Sequence, residues 1–395
     1  MHVLIENSLS MHGYVQGVTS FEVAMMRLLR QMHQAPYRST MSLSYINSDI
    51  YPVFTNASER DIDAYITNVE PASFGNQGDR ANTNLRAVIN WALRKVSPTS
   101  VAVLVSDMIL SPGRDVSSAD YLEQEKAAIQ YDMQAKLKSI PSLSLLAMQL
   151  YSEFDGVYYV EHAEKKGDKV VRNKALRGRM TRPYYVWVLG TKANVAAIAS
   201  KLRVDELRAN GLENIAMITS PVGKPKLLRS QIVSRRVLPK GRWKSRGEYV
   251  VSRAHANLVD RVELDRKQGV VDWVVDVGLP AGMRFVRDTI RVRNLTATHR
   301  AVVQDVDREV PATKRVAMVS TWDRSFVEPA IVRLRLEQTL PSWFVTAGTI
   351  DDRMTLTNTH TMRSTFGLGS LMAGVWAALG GANPMLGYAE IHLRE

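Results

Sequence analysis

Short apolar runs alternate with stretches of helical period over the first 200 residues, the pattern of a sheet covered by helices. His2–Ile5 reads as a first strand. Ser20 reads as a helix cap, with Phe21, Ala24, Met25, Leu28, Leu29 and Met32 at helical spacing behind it. Residues 40–54 suit a hairpin, Asn84–Lys95 an amphipathic helix, and the valine-rich Ser100–Ser106 a buried strand. Ala119–Leu137 predicts a helix, Ser142–Leu150 and Tyr184–Leu189 strands, and Ala193–Leu202 a further helix. From about residue 248 the period changes to two, as in VDWVVDVGLP, KRVAMVST and AIVRLRLEQTLPSWF, which suits strands with one solvated face. One helix-like run, Thr365–Leu379, precedes a last strand, Gly387–Leu393.

The expected architecture is therefore α/β, with a mostly parallel sheet flanked by helices over 1–205. A basic linker, or the first strands of a second domain, covers 206–246. A β-rich, sandwich-like domain with one C-terminal helix covers 247–395. That helix is expected to pack on the β-rich domain.

Composition narrows this further. The length, 395 residues, suits two domains, and a hydrophobic fraction of 45% excludes disorder and fibrous repeats. With no cysteine, disulfides, thiolate metal sites and thiol nucleophiles are excluded together. The opening MHVLIENS lacks the charged and apolar regions of a secretory signal, so a cytoplasmic location is expected. The uncharged stretch between Arg363 and Glu390 is broken by glycines, Asn383 and Pro384, so a buried helix is expected there rather than a membrane span.

The formal charge of +12 is concentrated. Residues 164–182 hold eight Lys/Arg against two Asp/Glu, and residues 222–246 hold nine against none. Residues 1–163 are acidic, with twelve basic and seventeen acidic side chains. Lys165, Lys166, Lys169, Arg172, Lys174, Arg177 and Arg179 in the first segment are candidates for a nucleic-acid or acidic-partner surface. Arg235, Arg236, Lys240, Arg242, Trp243, Lys244 and Arg246 are the candidates in the second, where charge is mixed with a stacking surface. A solvated linker and an exposed hairpin are the plainer explanation.

The chemistry is densest just after the first strand, in IENSLSMHG. Glu6, Ser8 and Ser10 are spaced as acid-x-Ser-x-Ser; Thr83 stands immediately before a helix, and Asp107 closes the valine-rich strand in VAVLVSDM. In order, separation and context these pieces resemble the von Willebrand factor A-type domain, a Rossmann-like fold, and its metal-ion-dependent adhesion site. The resemblance covers roughly residues 1–205. It implies that Ser8, Ser10 and Thr83 ligate Mg²⁺, with Glu6 and Asp107 holding ligand waters and a partner protein's Asp or Glu completing the shell. An all-oxygen shell suits that ion, and the carboxyl ends of parallel strands are where open sheets bind ligands. The departures from the family pattern are Glu6 for aspartate, and Leu9, Asn82 and Met108 where glycine is common. The competing role for Ser8, Ser10 and Thr83 is capping of turns and helices.

No zinc spacing, phosphate loop or GxSxG elbow is present, so catalysis is not expected. Asp351 and Asp352, being adjacent, suit a solvated turn rather than a paired acid and base. His12 lies close enough to the adhesion loop to touch a partner, or else is a solvated turn residue. The resemblance further implies an interaction subunit of a multi-component bacterial system, beside an ATPase or effector, antiphage defence among such systems.

Overall fold

The computed structural model describes residues 1–34, 40–69, 74, 78, 84–112, 116–166, 169–172, 175–220, 226–233, 247–252, 255, 258–263, 270–278, 290–294, 300–305, 313–321, 330–381 and 385–393. The chain forms two compact units, Met1–Ser220 with Leu340–Ala382, and Pro221–Thr339 with Asn383–Glu395.

The first unit runs β1 (His2–Glu6), α1 (Ser20–His33), β2 (Met41–Ile46), β3 (Ile50–Ala57), α2 (Glu59–Thr67), α3 (Leu85–Lys95), β4 (Ala102–Ser106) and α4 (Ser118–Ser139). It continues with β5 (Leu143–Tyr158), β6 (Ala163–Lys166), β7 (Lys169–Arg172), β8 (Leu176–Thr191), α5 (Lys192–Lys201), α6 (Val204–Arg208) and β9 (Leu212–Thr219). A 3-10 helix, Leu9–Val15, follows β1. The later segment adds α7 (Ser342–Thr346), α8 (Thr359–Met362) and α9 (Leu368–Leu379).

Seven strands make one sheet in the order β3-β2-β1-β4-β8-β5-β9. Parallel pairing is confined to β2-β1-β4, while β3, β8, β5 and β9 join antiparallel. The reason lies in the connections. A helical crossover returns the chain parallel, whereas β5 and β8 are two 16-residue strands joined through the β6–β7 hairpin, which turns the chain back on itself. That ribbon contains the described residues of the first basic segment, read from sequence as an insertion or an extended hairpin. The seventh strand, β9, lies in the stretch read as the start of a linker, so the first unit reaches Ser220 rather than 205.

One face of the sheet, with Leu4, Leu104, Leu145, Ala147 and Trp187, packs against α3, α4 and α9. The placement of α9 corrects the sequence expectation. LGSLMAGVWAAL carries no charge, so it needs cover on most of its circumference. It finds this in the first unit, where Leu368, Leu371, Met372 and Val375 join Leu122, Ile129 and Met133 of α4.

The second unit is made of strands. One sheet runs Glu248–Val251, Leu258–Glu263, Met385–Leu393, Ala330–Gln338, Ile290–Asn294, with Lys226–Leu227 also on Met385–Leu393. The other runs Ser230–Val233, Val270–Gly278, Thr313–Thr321, Arg300–Asp305. The two meet where Tyr249 packs on the buried Trp273, ring centroids 5.8 Å apart.

Candidate functional site

The parallel strands β1 and β4 end side by side, and their last residues and following loops bring the motif together. Ser8 opens the 3-10 helix, yet its hydroxyl caps no backbone amide; it shares a hydrogen bond of 2.9 Å with the Ser10 hydroxyl instead. The Ser10 hydroxyl favours the charged form of the neighbouring Asp107 carboxylate, which accepts a hydrogen bond from the Ile109 amide at 3.1 Å. The capping role thus fails for Ser8. The helix after Thr83 is capped by Asn84, which accepts from the Ala87 amide, so that helix does not require Thr83 as its cap either. Thr83 itself lies outside the described residues.

Asp107 is 3% exposed. Burial pushes its carboxyl above the usual range, against the opposing pull of Ser10, the Ile109 amide and the charge of Arg182. Glu6 is also buried, and accepts a hydrogen bond of 2.5 Å from the Ser106 hydroxyl, which itself accepts from the Met108 amide at 2.7 Å. The methylene that Glu6 has over aspartate is used to fold its carboxylate onto the end of β4.

Met108 stands where glycine is usual, and its backbone keeps the left-handed conformation, φ +56°. A side chain there costs about 1–3 kcal/mol. The Met108 side chain is completely buried in the core, and burying such a side chain stabilises by about 1.5–3 kcal/mol. The two effects are of one size, which is how the turn persists without glycine.

Sequence reasoning missed three buried polar residues here. Asn7, inside the motif, accepts from the Asn47 amide group at 3.0 Å, tying the ends of β1 and β2. Ser106 links Glu6 to the β4 turn. Arg182 sits in the basic segment but is 1% exposed. The signal for Arg182 was its parity: it is two residues before Tyr184 and four before Val186, all buried in one strand. His12 is half-buried and meets the Phe74 ring edge-on, centroids 6.2 Å apart, so it is not a solvated turn residue.

The donors present fit a hard divalent ion in kind: the hydroxyls of Ser8 and Ser10 and the buried carboxylate of Asp107. Among the described residues no group of three or more His, Cys, Asp or Glu could hold a metal, so an ion here depends on the hydroxyls.

The basic candidates divide. Arg177 and Arg179 are exposed on β8, Arg179 paired with Asp155 at 2.6 Å. Lys165, Lys166, Lys169 and Arg172 lie on β6 and β7. Lys174, Arg235, Arg236, Lys240, Arg242, Trp243, Lys244 and Arg246 lie outside the described residues. The adjacent aspartates are not a solvated turn: Asp352 is buried and accepts from Tyr158 Oη and the amides of Glu161 and His162.

No family model matches the chain, and no curated protein does. Among solved structures it is similar to an aerotolerance-related membrane protein from Bacteroides fragilis, with serine substitutions. The identity is 12% and the TM-score 0.27, over 53% of this chain and 93% of that one. At that distance the likeness says nothing of function. The first unit's α/β architecture and the loop at the ends of β1 and β4 are consistent with an A-type fold. No helix among the described residues is long and apolar enough to cross a membrane.

Proposed function

We propose that the chain is a docking subunit of a multi-component bacterial assembly, non-catalytic, whose A-type loop receives an acidic side chain of a partner protein. The observation that supports this most is the Ser8–Ser10 hydroxyl pair, not spent on helix capping, at the end of one parallel strand, with the buried Asp107 carboxylate at the end of its neighbour. Ser8, Ser10 and Asp107 would hold a divalent ion. When bound, Mg²⁺ supplies the positive charge that a partner carboxylate needs at a loop otherwise bearing Glu6 and Asp107. The protein's own part is to hold the hydroxyls in place through the 3-10 helix and to keep the carboxylates out of water.

The test is affinity capture from the native host with the parent chain and with Ser8→Ala/Ser10→Ala, each with and without EDTA. The expected result is one partner set lost in the variant and in EDTA. Capture that is indifferent to both sinks the docking reading.

A second reading, binding to nucleic acid, draws on the exposed Arg177 and Arg179 of the ribbon, next to the basic β6–β7 hairpin. Salt-sensitive binding of DNA or RNA that disappears on charge reversal at Arg177, Arg235, Arg236, Lys240 and Arg242 would favour it.

A further inference from the structure

Arg182 is a cation with almost no access to water, placed by the sheet next to the adhesion loop. The antiparallel register sets Ser106 of β4 against Tyr185 of β8. At ~3.3 Å per residue, β8 therefore carries Arg182 about 7 Å beyond the level of Asp107. Its position is fixed from the other side by the later segment of the chain. Nη1 donates to the carbonyls of Met362 at 2.9 Å and Ser364 at 3.0 Å, where α8 ends and its last carbonyls lack helical partners. The guanidinium lies over the Tyr158 ring, 4.5 Å from its centroid. Nη2 is buried with no hydrogen-bond partner. A buried charge held this way needs a counter-charge, and carbonyls and rings supply only dipoles. By the β4–β8 register Asp107 is the carboxylate two residue steps away on the neighbouring strand, and the Arg182 charge favours its ionised form.

We propose that Arg182 is the resident cation of the adhesion loop, a positioning residue that balances Asp107 from behind and keeps the isolated chain's affinity for divalent ions low. An ion bound at Ser8, Ser10 and Asp107 then sits beside a positive charge that cannot move away or be hydrated. A partner carboxylate restores the balance, so ion and partner arrive together. The inference rests on the docking reading for the identity of the donors, and its test uses no partner.

Mn²⁺ and Mg²⁺ are titrated onto the full chain, followed by the free-Mn²⁺ paramagnetic resonance signal and by the thermal midpoint. The parent is expected to bind only at millimolar concentrations. Arg182→Met should bind Mn²⁺ at least tenfold more tightly, and Arg182→Lys, which keeps the charge, should behave as the parent does. Adding Ser8→Ala/Ser10→Ala to Arg182→Met should abolish the gain. A parent that binds Mn²⁺ below millimolar at Ser8 and Ser10 overturns the proposal, and this holds even if Arg182→Met does not fold. So does a folded Arg182→Met with no gain. Loss of the EDTA-sensitive capture, with these titrations as expected, would instead remove the docking reading alone.

Discussion

Two neighbouring aspartates show how far residue-level reading reaches. Asp352 is buried and takes three hydrogen bonds, while Asp351 is half-exposed and pairs with Arg353, Nε donating at 2.9 Å and Nη2 at 2.5 Å. The Arg353 hydrogen bonds hold the Asp351 carboxyl at about 2, below its ordinary 3.8. A carboxylate depressed in this way stabilises the fold above its unfolded value, and that contribution is lost as pH falls from about 4 through about 2. Both side chains are 41% exposed, so screening limits the pair to below about 1 kcal/mol. Asp351→Asn should therefore lower stability by roughly 0.5–1 kcal/mol at pH 7. The gap should close by pH 2, as read from urea midpoints of parent and variant at pH 7, 4 and 2; a gap that persists in acid would mean the loss is not electrostatic. Adjacency in sequence could not separate these roles, because the donors that bury Asp352 come from residues 158–162. Ser8, Ser10 and Asp107 were legible for the opposite reason. Asp107 follows directly on a strand and the two serines lie within four residues of the end of another, and strand ends are fixed by local pattern. Arg182 was hidden because charge counting treats every basic residue of a segment as surface.

At the scale of elements, α9 carries the clearest lesson. Its periodicity was legible, and its small residues were correctly read as allowing a close approach, but the surface it approaches is α4. A Cβ on Gly374 would stand 2.5 Å from the Lys126 carbonyl oxygen, a backbone atom that cannot swing aside. Gly374→Leu should force the two helices apart and cost about 1–3 kcal/mol, the range for overpacked cores. The urea midpoint should fall accordingly, and no change would mean that α9 is not seated on α4. The strand order shows the limit in the other direction. Each of β5, β8 and β9 has apolar residues enough to read as a strand, at least in part. Which neighbour each one takes, and in which direction, is set by connections whose course is not local: the ribbon through β6 and β7 makes an antiparallel pair where helical crossovers would have made a parallel one.

For the whole molecule, the consequence is that the first unit is not a continuous piece of chain. Residues 340–382 return to it after the strands of 226–338, and they bring Phe344, Phe366, Leu368, Leu371, Met372, Val375 and Leu379 into its core. At about 1.5–3 kcal/mol for each fully buried side chain, these seven contribute on the order of 10–20 kcal/mol. Residues 1–220 alone would leave the faces of α4 and of the sheet that these side chains cover open to water, although a reading of the sequence as beads on a string would cut there. Expressed by itself, that fragment should show no cooperative unfolding and should bind a hydrophobic dye. Joining 340–382 to it through a flexible linker should restore a cooperative transition and near-ultraviolet dichroism. The same return of the chain supplies the carbonyls of Met362 and Ser364 that fix Arg182, so the restored fragment should also regain the parent's weak Mn²⁺ response. A fragment 1–220 that unfolds cooperatively without 340–382 would show that the later segment is an ornament on a finished domain. Arg182 would then need another anchor.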